Sequence, residues 1–315
     1  MTQIGIMLEG QNGLNWGRWK RILQTAEDFG FQCVFRSDHF TNPSPPDMDS
    51  LELWTSLTYA ASHTKRIEFG PLVAPVTFRH PSITVRMAAA VDDLSDGRLI
   101  LGLGAGWQER EHTNFGVPFY DFRTRFAMFE DALEITTKLL GSDEPVNYEG
   151  NHFSLNDAIL LSRPSRPGGP PLLIGGNGPK RTLPLVAKYA DEWNALFTSL
   201  DNYKERTAQL NDLLVNHGRK PDDVKRSLMT GTIFARSDAD LKDALVQRSK
   251  NAKQELTTVS LIERGLVVGT PSMWVDQIAE FAEAGVERFM LQWLDLDDID
   301  GLEIVARDVL PHFHK

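Results

Sequence analysis

Short apolar runs alternate with longer segments whose apolar side chains recur at helical spacing, and the alternation repeats eight times along 315 residues. Ile4 to Leu8 has the character of a strand. Trp16 to Phe29 then places Trp19, Ile22, Leu23, Ala26 and Phe29 on one helical face, closed by Gly30. Further strands are expected at Cys33–Phe35, Ile67–Phe69 with Val73, Leu99–Leu103, Leu172–Ile174, Trp193–Leu196, Leu228–Phe234 and Phe289–Trp293. Helices are expected over 51–62, 82–94, 123–140, 180–190, 202–216, 238–251, 273–284 and 299–309, with a β-hairpin excursion from Val146 to Leu155. Eight strands, each followed by a helix, predict an α/β fold: a (β/α)8 TIM barrel forming one domain over residues 1–315, with loop insertions at its C-terminal face. The Arg163–Pro171 stretch is too rich in Pro and Gly for regular structure. Because the alternation continues on both sides of it, it reads as a long loop over one barrel face rather than a linker.

Composition narrows the function classes. A formal charge of −10 argues against a nucleic-acid partner, which needs clustered Lys and Arg. No run approaches 18 apolar residues, and Met1 to Ile6 lacks a basic region followed by an apolar one, so neither a membrane span nor a signal peptide is expected and the location is cytoplasmic. The one cysteine, Cys33, lies in an apolar run and reads as a core thiol. No His/Cys cluster has metal-ligand spacing, so no metal is expected, and no nucleophile elbow is present.

Functional residues of such a barrel belong at the C-terminal ends of its strands, and four segments there stand out. Arg36-Ser-Asp-His-Phe40 places Asp38 and His39 just past strand two. Such a pair binds polar ring edges or moves protons; the plainer alternative is a helix-capping Asp beside a surface His. Gly70-Pro-Leu-Val-Ala-Pro75 implies a constrained backbone at the mouth, or simply a strand end. Leu101-Gly-Leu-Gly-Ala-Gly-Trp107 spells a weak glycine motif in a poor position for a dinucleotide fold, although glycines there would admit a flat ring. Leu173-Ile-Gly-Gly-Asn-Gly178, followed by Pro179, Lys180 and Arg181, matches a phosphate site at a helix N-terminus, with Arg181 available for a bidentate contact.

In this order and spacing, Ser37-Asp-His-Phe40, Gly70 to Pro81, Asp96 to Trp107 and Gly175 to Gly178 make the chain resemble the luciferase-like monooxygenase superfamily. The closer resemblance is to its branch dependent on the deazaflavin coenzyme F420, and it covers nearly the whole chain. It implies a non-prolyl cis peptide at Leu72-Val73, a bulge with Ala74 behind the ring, and a loop of Gly104, Ala105, Gly106 and Trp107 beside it. It also implies a phosphate-holding turn of Gly175, Gly176, Asn177 and Gly178, joined by Arg181. Asp38 and His39 match the pair near the ring's reactive edge, with His39 as proton handler and Glu109 as a second candidate. The implied activity is hydride transfer between coenzyme F420 and a small organic substrate. The alternatives are an FMN-dependent, oxygen-using monooxygenase and a non-catalytic flavin-binding protein. The presence of both Asp38 and His39 favours an enzyme. Family members are commonly dimers, and segments 42–49, 115–122 and 163–171 are expected to define the substrate.

Overall fold

The computed structural model describes residues 2–314. Its strands are β1 (Gln3–Leu8), β2 (Cys33–Arg36), β3 (Glu68–Pro71), β4 (Ala74–Pro75), β5 (Leu101–Gly104), β6 (Val146–Glu149), β7 (Ser154–Ala158), β8 (Leu172–Gly175), β9 (Glu192–Leu196), β10 (Lys225–Phe234), β11 (Val267–Gly269) and β12 (Arg288–Gln292). The helices are α1 (Trp16–Phe29), α2 (Leu53–His63), α3 (Pro81–Leu94), α4 (Glu109–Phe115), α5 (Phe122–Gly141) and α6 (Thr182–Tyr189). They continue with α7 (Leu200–Asn216), α8 (Asp238–Ala252), α9 (Thr258–Ile262), α10 (Pro271–Glu283) and α11 (Ile299–Asp308). Local chemistry explains the clearest boundaries. Asn15 caps α1 by accepting from the Arg18 amide, and Gly30 ends it at φ 90°.

Nine strands follow one path, β3-β2-β1-β12-β10-β9-β8-β5-β4, with parallel pairing and β11 added beside β10. The path is nearly closed. Ile100 N–H donates to the Phe69 carbonyl (2.9 Å) and Phe69 N–H to that of Arg98 (3.2 Å), joining β3 to the approach to β5. The architecture is the expected TIM barrel, with one refinement: the third strand is broken at the cis peptide Leu72-Val73 into β3 and β4. The strands β4 and β11 and the helices α4 and α9 were not anticipated from periodicity.

Strand alternation separates two cores. Ile4, Ile6 and Leu8 pack outward with Trp19, Ile22 and the other helical faces, whereas Met7, Cys33, Phe35, Ile100, Leu173, Met229 and Met290 fill the barrel interior. Burial pushes the Cys33 thiol up to about 12, so it is an inert core group. At the N-terminal end of the barrel, Arg288, fully buried at the start of β12, donates to Glu192 (2.7 Å) and Glu68 (2.5 Å).

The Arg163–Pro171 stretch runs into the N-terminal end of β8. The Pro171 carbonyl accepts from Leu101 N–H, at the start of β5, and Arg166 pairs with Asp92. It therefore lies at the end of the barrel away from the C-terminal mouth, where it cannot define a substrate there. No helix among the described residues is long and apolar enough to cross a membrane.

Candidate active site

A cavity of about 610 Å³ opens at the C-terminal ends of the strands, a size typical of cofactor and small-molecule sites. Met7, Met229 and Gln292 form part of its floor, and Leu72, Val73 and Gly175 one wall. The Gly104–Trp107 loop, His39 and Phe197 complete it.

His39 follows β2 in a tightly bound loop. Gly10 N–H donates to Ser37 Oγ (2.9 Å), Ser37 Oγ–H donates to Gln11 Oε1 (2.8 Å), and Ser50 Oγ–H donates to the His39 carbonyl (2.5 Å). The ring faces the cavity, with Trp107 edge-on at 5.4 Å. Its Nδ1–H donates to Glu111 Oε1 at 2.9 Å, while Glu111 Oε2 accepts from Phe40 N–H at 2.9 Å. One buried carboxylate thus fixes both ring and backbone, and Nε2 has no protein partner among the described residues. Burial opposes the charged ring, but the hydrogen bond and charge of Glu111 outweigh it and raise the His39 pKa above the ordinary value.

Asp38, expected beside the ring with His39, does not line the cavity. Asp38 is buried, turned from the cavity lining, and bound to Arg79 Nη1 at 2.5 Å. Its pKa is raised because burial outweighs the neighbouring Arg79 charge. Glu109 is also displaced from its expected role. It is the first residue of α4 and exposed, lining a shallow outer depression with Pro43 and Arg110. Helical residues advance by about 100° each, so Glu111 lies on the opposite side and is buried. Helix α4 is anchored there by fully buried His112, whose Nδ1 faces the Gln108 carbonyl (2.8 Å) and Nε2 the Thr77 hydroxyl (2.8 Å).

The glycines of β5 have a local cause. A Cβ on Gly104 would lie 2.5 Å from Val73 Cγ2, and one on Gly102 would lie 2.2 Å from the Pro71 carbonyl oxygen and 3.1 Å from Val73 Cγ1. The strand is therefore notched to receive the Val73 side chain beyond the cis Leu72-Val73 peptide. Ala74 is buried in β4, behind that bulge and outside the cavity lining.

The Gly175–Gly178 turn differs from the expected phosphate cradle. Gly175 lines the cavity, but the Asn177 side chain is committed: Nδ2–H donates to the Leu196 carbonyl (2.6 Å), and Oδ1 accepts from Leu196 N–H (3.0 Å). Helix α6 begins at Thr182, so Pro179 and Lys180 belong to the turn before it. Arg181 stacks over Phe122 and Phe126 at 5.3 and 5.5 Å instead of projecting toward Gly175. A second pocket of about 460 Å³, lined by Asn177, Ser199, Arg206 and Arg264, adjoins the cavity through Phe197. Its two arginines were not anticipated, since each is remote in sequence from the turn. No group of three or more metal-ligating side chains is assembled among the described residues.

The model of the luciferase-like monooxygenase family matches residues 1–288. The chain is 27% identical to an F420-dependent glucose-6-phosphate dehydrogenase of Intrasporangium calvum, over 91% of each chain. It is 26% identical to 4-hydroxyprotoasukamycin monooxygenase of Streptomyces nodosus, over 96% of this chain and 88% of that one. Among solved structures, the F420-dependent tetrahydromethanopterin reductase of Methanopyrus kandleri superposes with a TM-score of 0.82 at 22% identity, covering 99% of each chain.

Proposed function

The chain belongs to the luciferase-like monooxygenase family, and from that premise we propose that it is an oxidoreductase transferring a hydride between coenzyme F420 and a small organic substrate at the barrel mouth. The observation that carries this reading is the His39–Glu111 pair, which leaves the unpartnered His39 Nε2 at a cavity walled by the Val73 bulge. The residues fit a flat ring: Leu72 and Val73 would back it, with Ala74 buried behind them, and Gly104, Ala105, Gly106 and Trp107 would flank it. In the Gly175–Gly178 turn the Gly176 amide is bound to the Asn194 carbonyl, so Asn177 and Gly178 are the ones to offer backbone amides to its phosphate, and Arg264, beside the Glu205-paired Arg206, offers charge to an anionic tail.

When bound, coenzyme F420 supplies a ring carbon that accepts or donates a hydride. The protein supplies orientation and proton handling. As a hydride leaves the substrate carbon, His39 Nε2 takes the proton of the substrate hydroxyl; in the reverse direction it returns that proton to the carbonyl oxygen. Glu111 is a positioning residue that holds the ring through Nδ1. Asp38 acts from behind, by holding Arg79.

The F420-dependent relative favours the deazaflavin, and the monooxygenase relative keeps FMN as the second reading. Fluorescence titration of the purified protein with each cofactor separates them: F420 is expected to be quenched at micromolar protein while FMN is not, and the reverse order would overturn the assignment. We also propose that the enzyme acts in the cytoplasm, in keeping with a single buried thiol, and as a homodimer. In support of the dimer, Ile83, Met87, Ala90 and Leu94 form an outward stripe on α3, with Ile83 and Leu94 half exposed. Analytical ultracentrifugation tests that state.

A further inference from the structure

The charges around the cavity are distributed unevenly, and this bears on the substrate. Among the described residues its lining contains neither Lys nor Arg. Its ionisable members are Glu9 and His39. Glu9 is held as an acceptor at both oxygens, by Gln292 Nε2 (2.7 Å) and Gln11 Nε2 (3.0 Å). His39 already faces the buried Glu111 carboxylate, so a positive charge on its ring is matched before any ligand arrives. Neighbouring cations are similarly engaged, Arg79 by Asp38 and Glu52, and Arg110 by Asp47. Arg206 and Arg264 lie beyond Phe197, in the adjoining pocket. The rim is apolar, with Trp107, Phe197 and Leu294 each more than 40% exposed.

Resting on the hydride-transfer reading above, we propose that the substrate is an uncharged, largely apolar alcohol or carbonyl compound, and that the cavity discriminates against phosphorylated and other anionic substrates. A phosphate dianion would lose its hydration against Met and Leu side chains and meet the Glu9 carboxylate with no free cation to offset it. A neutral carbonyl needs only one polar partner, which His39 Nε2 provides, while its hydrocarbon part meets Met229, Leu196 and Leu294.

The test is a ligand-observed NMR titration of cofactor-loaded protein with cyclohexanone and with glucose 6-phosphate. Cyclohexanone is expected to bind at least about tenfold more tightly, and Leu294→Arg, at the exposed rim, to improve glucose 6-phosphate binding by about tenfold or more. Met229→Lys, deeper in the cavity, serves as the second variant. Equal affinities, tighter binding of the sugar phosphate, or binding of neither probe at its solubility limit overturns the proposal. If the protein fails to take up F420, the functional reading falls on its own. The order of the two probes on FMN-loaded or ligand-free protein still decides the substrate class.

Discussion

Replacing Glu111 by Gln keeps the size of the side chain and removes its charge. The carboxylate accepts from His39 Nδ1–H and Phe40 N–H, both at 2.9 Å, and is 1% exposed. A carboxamide has one accepting oxygen. If that oxygen stays on Phe40 N–H, the amide NH2 faces Nδ1, which must then accept, and the ring proton moves to Nε2. The nitrogen facing the cavity thereby loses its basic lone pair. A hydrogen bond to a charged group contributes about 1.5–3 kcal/mol. Losing that much from the transition state slows oxidation of a hydroxyl substrate roughly 10- to 150-fold. The His39 pKa is also expected to fall, since Glu111 is what raises it against burial. A raised folded-state pKa contributes stability that is complete below the unfolded value of about 6.5 and is lost as pH rises through the folded value. The native protein should therefore lose stability as pH climbs through that window, and Glu111→Gln should flatten the dependence. NMR titration of the His39 ring, the pH profile of kcat, and melting temperature against pH measure the three effects. A His39 titration curve in the variant that superposes on the native one would refute the role assigned to Glu111.

Three further outcomes follow from the geometry. Asn177→Ala removes both bonds to Leu196; the expected loss is about 2 kcal/mol in urea unfolding, together with weaker cofactor retention by fluorescence titration. Gly104→Ala forces a methyl toward Val73 and should destabilise by about 1–3 kcal/mol; adding Val73→Ala should recover much of it, as a double-mutant cycle by denaturation can read. Arg288→Met leaves Glu192 and Glu68 without their partner, and should destabilise by about 3–5 kcal/mol. For a chain of this length that is a melting shift of about 5–8 °C, with cofactor affinity unchanged at the opposite end.

The barrel was legible because its long elements carry strong local signals. Helix α1 has both a capping Asn15 and a terminating Gly30, and the sequence pattern locates it to the residue. Strands of two or three residues, such as β4 and β11, carry no periodicity and emerge only from their neighbours. The same limit explains why Glu111, the carboxylate that meets His39, was not singled out. Helix α4 starts after Gln108, whose side chain makes no capping bond; without a visible helix start, Glu109 and Glu111 could not be assigned to opposite faces. Asp38 was misplaced for a different reason: its partner, Arg79, is 41 residues away. Arg181 shows the limit of motif reading, because the phosphate pattern does not encode the Phe122 and Phe126 rings that claim the side chain.

The Val73 notch has a meaning for inheritance as well as for packing. Its side chain occupies space left by missing Cβ atoms at Gly102 and Gly104. These three positions come from two different strand regions, yet a lineage can alter them only in order. A larger residue at 104 is admissible after 73 has shrunk, and not before. The wall around Val73 is therefore passed on as a block, while the rim residues Trp107, Phe197 and Leu294, which no such notch constrains, are free to diverge.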